Sequence, residues 1–112
     1  MKKTVRVIAA AAICLAAQSS FAQGTTTFGA ADCGQWLAEK TLARRAWLAG
    51  YLSGMNKVHT VLAKGDPLGQ LSSMDQAFAW MDNYCRKNPL ETISVGGFDL
   101  FIELITREDA RK

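Results

Sequence analysis

One histidine, His59, serves the whole 112-residue chain, and no two of its three cysteines form a Cys-x-x-Cys pair. Metal sites need clustered His, Cys or carboxylate ligands, and no such cluster is present. Acid–base chemistry is left with a single imidazole. A triad can be drawn from His59 with Ser53, Ser72 or Ser94, but no nucleophile-elbow pattern supports it. His59 itself is read as a solvent-facing residue just past the second helix. A Gly-rich phosphate loop is also missing. The sequence therefore offers no catalytic residue, no metal ligand and no cofactor site, and the expected protein is not an enzyme.

A long hydrophobic run is missing too. The longest, residues 7–17, is far short of the roughly 20 apolar residues a membrane-spanning helix needs. It follows Lys2, Lys3 and Arg6 and precedes Ser20-Phe21-Ala22. A basic start, a short apolar stretch and small residues at the cleavage positions make a secretory signal peptide. The expected division is signal 1–22, flexible leader 23–31, helical domain 32–106 and charged tail 107–112. Lipoprotein processing at Cys14 is not expected, because Ile13 stands where a small residue is required. The mature chain should reside in the periplasm, or be secreted, with no stable membrane anchor.

An excess of one charge is lacking once the signal is set aside. Three of the 13 Lys and Arg precede residue 23 and none of the 10 Asp and Glu do, leaving ten of each. The basic footprint of a nucleic-acid binder is absent. Arg44-Arg45 and Arg86-Lys87 are isolated pairs, read as solvated helix faces. Asp82, Asn83 and Arg86 are read mainly as a polar outer face, with a recognition patch as the other reading. Cys14 leaves with the signal, so Cys33 and Cys85 remain and allow one pairing. An oxidising compartment favours the bond. Closing a loop of this order stabilises a small domain by about 3–5 kcal/mol.

What is present is helical period. Asp32 and Gln35 have the spacing of a capping box and open a first helix with Cys33, Trp36 and Leu37 on one face. That helix either stays short or continues through Thr41. Trp47, Leu48, Tyr51, Leu52 and Met55 form the apolar stripe of a second. Ala46, Gly50 and Gly54 run beside it at four-residue spacing. Glycine costs about 1 kcal/mol against alanine in a helix interior. The pair is therefore read as a close approach of another backbone within the chain, in preference to a subunit contact. Residues 64–69 are dense in turn formers. Ser73 and Gln76 form a second capping box, opening a helix with Met74, Ala77, Phe78, Met81, Tyr84 and Cys85 on one face. Asn88-Pro89 ends it and is expected to start the fourth helix at once, with Leu90, Ile93, Gly97, Leu100, Phe101 and Leu104 turned inward. Gly96-Gly97 is expected to kink that helix or leave a short irregular piece. The fold class is all-α: a single small four-helix domain stapled by one disulfide.

The aromatic residues have two readings. Trp and Tyr are enriched at interfaces, which makes Trp47, Tyr51, Trp80 and Tyr84 candidate partner-binding residues. The other reading is a core rich in large side chains.

Two short stretches carry a resemblance. Cys33-Gly34-Gln35-Trp36-Leu37 matches a Cys-x-x-aromatic-aliphatic opening, and Tyr84-Cys85-Arg86-Lys87-Asn88-Pro89 is similar to the segment around the second cysteine of HdeB. Over roughly residues 32–105 the chain resembles the HdeA/HdeB group of small periplasmic proteins. That resemblance implies a helical homodimer with one disulfide, and an acid-stress chaperone that exposes apolar surface to client proteins. Gly50-Tyr51-Leu52-Ser53-Gly54 is similar to the Gly-Tyr-x-x-Gly segment of the Rap/Tai immunity proteins, although those usually carry more cysteines. This second resemblance implies tight binding of one secreted effector.

Overall fold

Two helices start side by side in this protein, and the rest of the chain is arranged around that junction. The computed structural model describes residues 25–112. The expected signal peptide, its cleavage site and the first leader residues lie outside them. An isolated antiparallel bridge joins Asp32 to Thr92. In it, the Cys33 N–H donates to the Glu91 carbonyl at 2.9 Å and the Ile93 N–H donates to the Ala31 carbonyl at 3.0 Å. The end of the leader is thereby fixed: Ala31 is buried in the core, and the Phe28 carbonyl accepts from Trp47 Nε1.

Helix α1, Cys33–Ala38, is short and opens with the expected capping box between Asp32 and Gln35. Its end is held by Arg44, whose guanidinium donates to the carbonyls of Gln35 and Glu39. Arg45 lies 5.1 Å from the centre of the Phe78 ring. Neither member of this basic pair is a purely solvated residue.

Helix α2, Leu42–Ala63, is capped by Thr41 and ends where Lys64 turns left-handed at φ 58°. It runs two turns past Met55, because nothing in residues 56–63 breaks it. His59 consequently lies inside α2, not after it, with its ring edge-on to Phe101 at 5.8 Å. The turn-rich segment contains one short 3-10 turn, Pro67–Gln70.

Helix α3, Met74–Lys87, begins after Ser73, whose side chain makes no capping bond. Gln76 turns its carboxamide oxygen to the Ser72 N–H instead, at 2.7 Å. Helix α4, Ile93–Asp109, starts later than the Asn88-Pro89 pattern implies, with Thr92 as its N-cap. Asn88 is used to close α3, donating its side-chain amide to the Tyr84 carbonyl. Leu90 precedes α4 and is 97% exposed rather than inward-facing. Gly96 and Gly97 do not interrupt α4, which runs unbroken through them.

The core takes Cys33 and Trp36 from α1, Leu48 and Leu52 from α2, Ala77, Met81 and Cys85 from α3, and Ile93, Leu100, Phe101 and Leu104 from α4. Cys33 and Cys85 are bonded across a sequence separation of 52 residues. The molecule is therefore the expected all-helical domain with one disulfide.

Candidate protein-binding surface

Four aromatic residues were expected at a partner interface, and they form two stacked pairs. Trp47 and Tyr51 stack on α2 with ring centres 4.9 Å apart, and Trp80 and Tyr84 stack on α3 at 5.4 Å. Helix α4 meets one residue of each pair with a glycine. A Cβ on Gly97 would lie 3.0 Å from the Tyr51 ring, and one on Gly96 would lie 2.6 Å from the Tyr84 ring and 2.8 Å from Met81 Sδ. The close approach that the sequence pattern placed at Gly50 and Gly54 is thus at Gly96 and Gly97. Nothing lies within 4 Å of a Cβ built on Gly50 or Gly54.

Half-buried Trp80 and fully buried Trp36 are both anchored through their indole N–H. Trp80 Nε1 donates to Glu103 Oε2 at 2.8 Å, and Trp36 Nε1 donates to Asp82 Oδ1 at 2.8 Å. Buried tryptophans normally find such partners. Asp82 also accepts from Lys40 Nζ at 3.0 Å. Burial alone would raise the Asp82 carboxyl, but the bonds from Lys40 and Trp36 and the charges of Lys40 and Arg86 outweigh it and hold the group below its ordinary value. Asp82 is therefore a strut between α1 and α3 rather than free surface. Burial pushes the Tyr51 phenol up. Tyr84 is pushed up by burial first and then by Asp99 and Glu91. Both phenols stay neutral near pH 7.

The open surface lies elsewhere. An apolar groove of about 630 Å³ runs between α2 and α4. Gly50, Gly54, Val58 and Leu62 form one wall, and Phe98, Ile102 and Ile105 form the other, with Tyr51, Met55, His59 and Phe101 between them. No Lys, Arg, Asp or Glu lines it. Leu62 is 79% exposed, Phe98 51% and Ile102 44%, and the adjacent Val61 is 69% exposed. Monomeric soluble proteins rarely leave a contiguous apolar patch of this kind open, and such patches mark interaction sites. Of the four candidate aromatics, Tyr51 alone lines this groove. Trp47 lines a smaller cleft with Phe28, and Trp80 lines one beside Glu103 and Arg107.

The groove residues had a signal in the sequence. Val58 and Leu62 continue the α2 period beyond Met55, the last residue of the stripe that packs against the core. Helix α4 carries Phe98, Ile102 and Ile105 in addition to its buried row, so it is apolar over more of its circumference than one core face requires.

Among the described residues, no serine hydroxyl bonds to His59, and Ser94 is paired with the Thr92 hydroxyl at 2.7 Å. No group of three or more His, Cys, Asp or Glu is placed to hold a metal ion among those residues. No helix of the described part is long and apolar enough to cross a membrane. The disulfide is consistent with an oxidising compartment. Compared with protein-family profiles, with curated proteins and with solved structures, the chain matches none of them.

Proposed function

We propose that this chain is an exported, non-enzymatic protein-binding domain, acting in the periplasm through the α2–α4 groove as a chaperone of the HdeA/HdeB type. The observation that carries the reading is the groove itself: lined by no Lys, Arg, Asp or Glu, open along its length, and built on two long helices of a disulfide-closed domain. Such a surface suits promiscuous apolar contact with unfolded clients. Acid adds the condition. Below about pH 3 most carboxylates are protonated, and ten Lys and Arg with His59 then leave roughly +11 on the mature chain. Self-repulsion at that charge loosens compact states and keeps the protein dissolved, while the disulfide limits unravelling.

The test is aggregation of an unrelated periplasmic protein at pH 2–3 with the oxidised chain present. Suppression near equimolar ratio, lost in Val58→Lys, which stays charged at that pH, supports the reading. No suppression at excess chain overturns it. One observation favours a second reading, an immunity-type protein for a single effector: Gly50-Tyr51-Leu52-Ser53-Gly54 contributes three residues to the groove wall. That reading requires a stable stoichiometric complex with one secreted effector at neutral pH, and no acid activity.

A further inference from the structure

The walls of the α2–α4 groove offer no hydrogen bond to a peptide backbone. Its lining residues lie inside the two helices, where main-chain N–H and C=O groups are bonded within each helix. Their side chains are apolar apart from the Tyr51 hydroxyl and the His59 imidazole. Among the described residues there is no strand whose edge could take up further main-chain groups. An extended polypeptide laid in this groove turns a row of N–H and C=O groups against apolar walls, and burying such groups without partners is unfavourable. A helix arrives with the same groups already paired.

From these walls we infer that the groove receives its protein partner as an amphipathic helix of about three turns, with an acidic edge turned toward α2. The inference rests on the groove being the binding surface, and it names the form and the charge of what enters.

The shape of α2 suits a crossing helix. Gly50 and Gly54 stand in one row with Lys57 and Val61, at the spacing of a helix ridge. Nothing lies within 4 Å of a Cβ on either glycine, so the ridge is notched over its first turn and another helix can come close there. Glycine is unfavourable in a helix interior, and no contact within the chain accounts for this pair. From Gly50 to Leu62 the face covers roughly 18 Å. A helix of the same length presents apolar anchors at i, i+3 or i+4, and i+7, the pattern by which helices fill such grooves.

The charge follows from the same ridge. Helix α2 contains Arg44, Arg45 and Lys57 and no carboxylate. Arg44 is held by carbonyls at the end of α1, and Arg45 lies over Phe78. Lys57 is exposed, stands one turn past the notch, and joins none of the ion pairs among the described residues. On α4 the corresponding row, Phe98, Ile102 and Ile105, ends at Asp109, which is paired with Lys112. A partner helix with glutamates along its α2 side therefore meets an available cation, and one with lysines there does not.

Fluorescence anisotropy at pH 7 tests this with a labelled synthetic helix of about 14 residues. The peptide is capped at both ends and carries leucine on one face, glutamate along one edge of that face, and alanine and glutamine elsewhere. The exported, disulfide-bonded chain is expected to bind it saturably, with a gain of helical circular dichroism in the peptide. Replacing two of its alanines by proline keeps the leucines and charges but prevents the helix, and should weaken binding at least about tenfold. Gly54→Gln fills the notch at an open position, where folding is not strained, and should cost about tenfold in affinity by obstruction while the circular dichroism of the chain is unchanged. Lys57→Glu should weaken binding about fivefold, and a lysine-edged peptide should recover the loss. Equal binding of the proline peptide overturns the inference, because the groove then takes extended chain; the protein-binding reading and its acid assay are left standing. A helix that does not bind, or that Gly54→Gln does not weaken, overturns it as well. An affinity that falls as the chain is concentrated puts a second copy of the chain on the groove and does the same. Charge variants without effect overturn the acidic edge.

Discussion

Helices α4 and α2 treat glycine in opposite ways. On the inner side, Gly96 and Gly97 admit Tyr84, Met81 and Tyr51 to distances no Cβ would allow. Across the groove from α4, Gly50 and Gly54 on α2 face open space. Both pairs lie inside helices that would be intrinsically more stable with alanine. Only the first pair is explained by packing inside the chain. The difference divides the molecule into a closed end, where α1, α3 and the start of α4 are locked together, and an open face along α2 and α4.

The closed end should give the largest loss when broken. Cys33 and Cys85 are fully buried and bonded, beside the Asp32–Thr92 bridge. Cys33→Ser removes the cross-link and is expected to cost about 2–5 kcal/mol, measured by urea denaturation of oxidised wild type against the variant. A loss below that range would mean that the bridge and the core hold the junction without the covalent bond.

Next comes the inner glycine. Gly96→Leu drives a side chain into Tyr84 and Met81, and overpacking of this kind costs about 1–3 kcal/mol. Denaturation midpoints decide it. A variant as stable as wild type would show that the Trp80–Tyr84 stack slides aside freely, and the contrast between the two glycine pairs would lose its closed member.

A smaller and pH-dependent loss is expected at Asp82. Its carboxylate holds Trp36 Nε1 and Lys40, and its pKa is lowered in the fold. A carboxyl with a lowered folded pKa contributes stability that is complete above its unfolded value, about 3.9, and lost as pH falls through the folded value. Asp82→Asn keeps the size and an acceptor for the indole but drops the charge. Hydrogen bonds to charged groups are worth about 1.5–3 kcal/mol, and the half-exposed Lys40 makes the lower part of that range the expectation. The gap between wild type and variant should be present at pH 7 and shrink below about pH 4. An equal gap at both pH values would show that charge is not what Asp82 contributes.

Much of this was readable from residue pattern. The all-helical class, the pairing of Cys33 with Cys85, the Asp32 capping box and the core faces of α2 and α3 follow from side-chain spacing, because each is a local or one-choice problem. The misreadings share a cause in tertiary context. Asn88-Pro89 has the form of a helix start, but the Asn88 amide is taken by the Tyr84 carbonyl, and the Glu91 carbonyl is taken by Cys33, so α4 waits for Thr92. Two glycines four residues apart look alike whether a neighbour covers them or not. The groove was only half legible: Val58 and Leu62 keep the α2 period, but nothing local says that the core ends at Met55 and that the stripe beyond it is uncovered.

The smallest expected effect is also the sharpest test of the open face. Gly54→Ala adds a methyl group where nothing stands within 4 Å, in the middle of a helix that extends well beyond it on both sides. With no clash to offset it, helix propensity alone should raise stability, by up to about 1 kcal/mol. Association complicates the reading, because a partner that binds only the folded chain stabilises it by mass action. The measurement therefore belongs at concentrations too low for self-association, where the melting temperature no longer depends on concentration. There the variant should melt higher than wild type, while Gly96→Ala, meeting Tyr84 and Met81, should melt lower. If Gly54→Ala is instead destabilised in the dilute monomer, some part of the chain covers α2 in solution, and the open face is not open. If it is stabilised when dilute but loses that advantage as concentration rises, the methyl group is disturbing a contact that forms only between copies. That pattern would tie Gly54 to the intermolecular surface rather than to the fold.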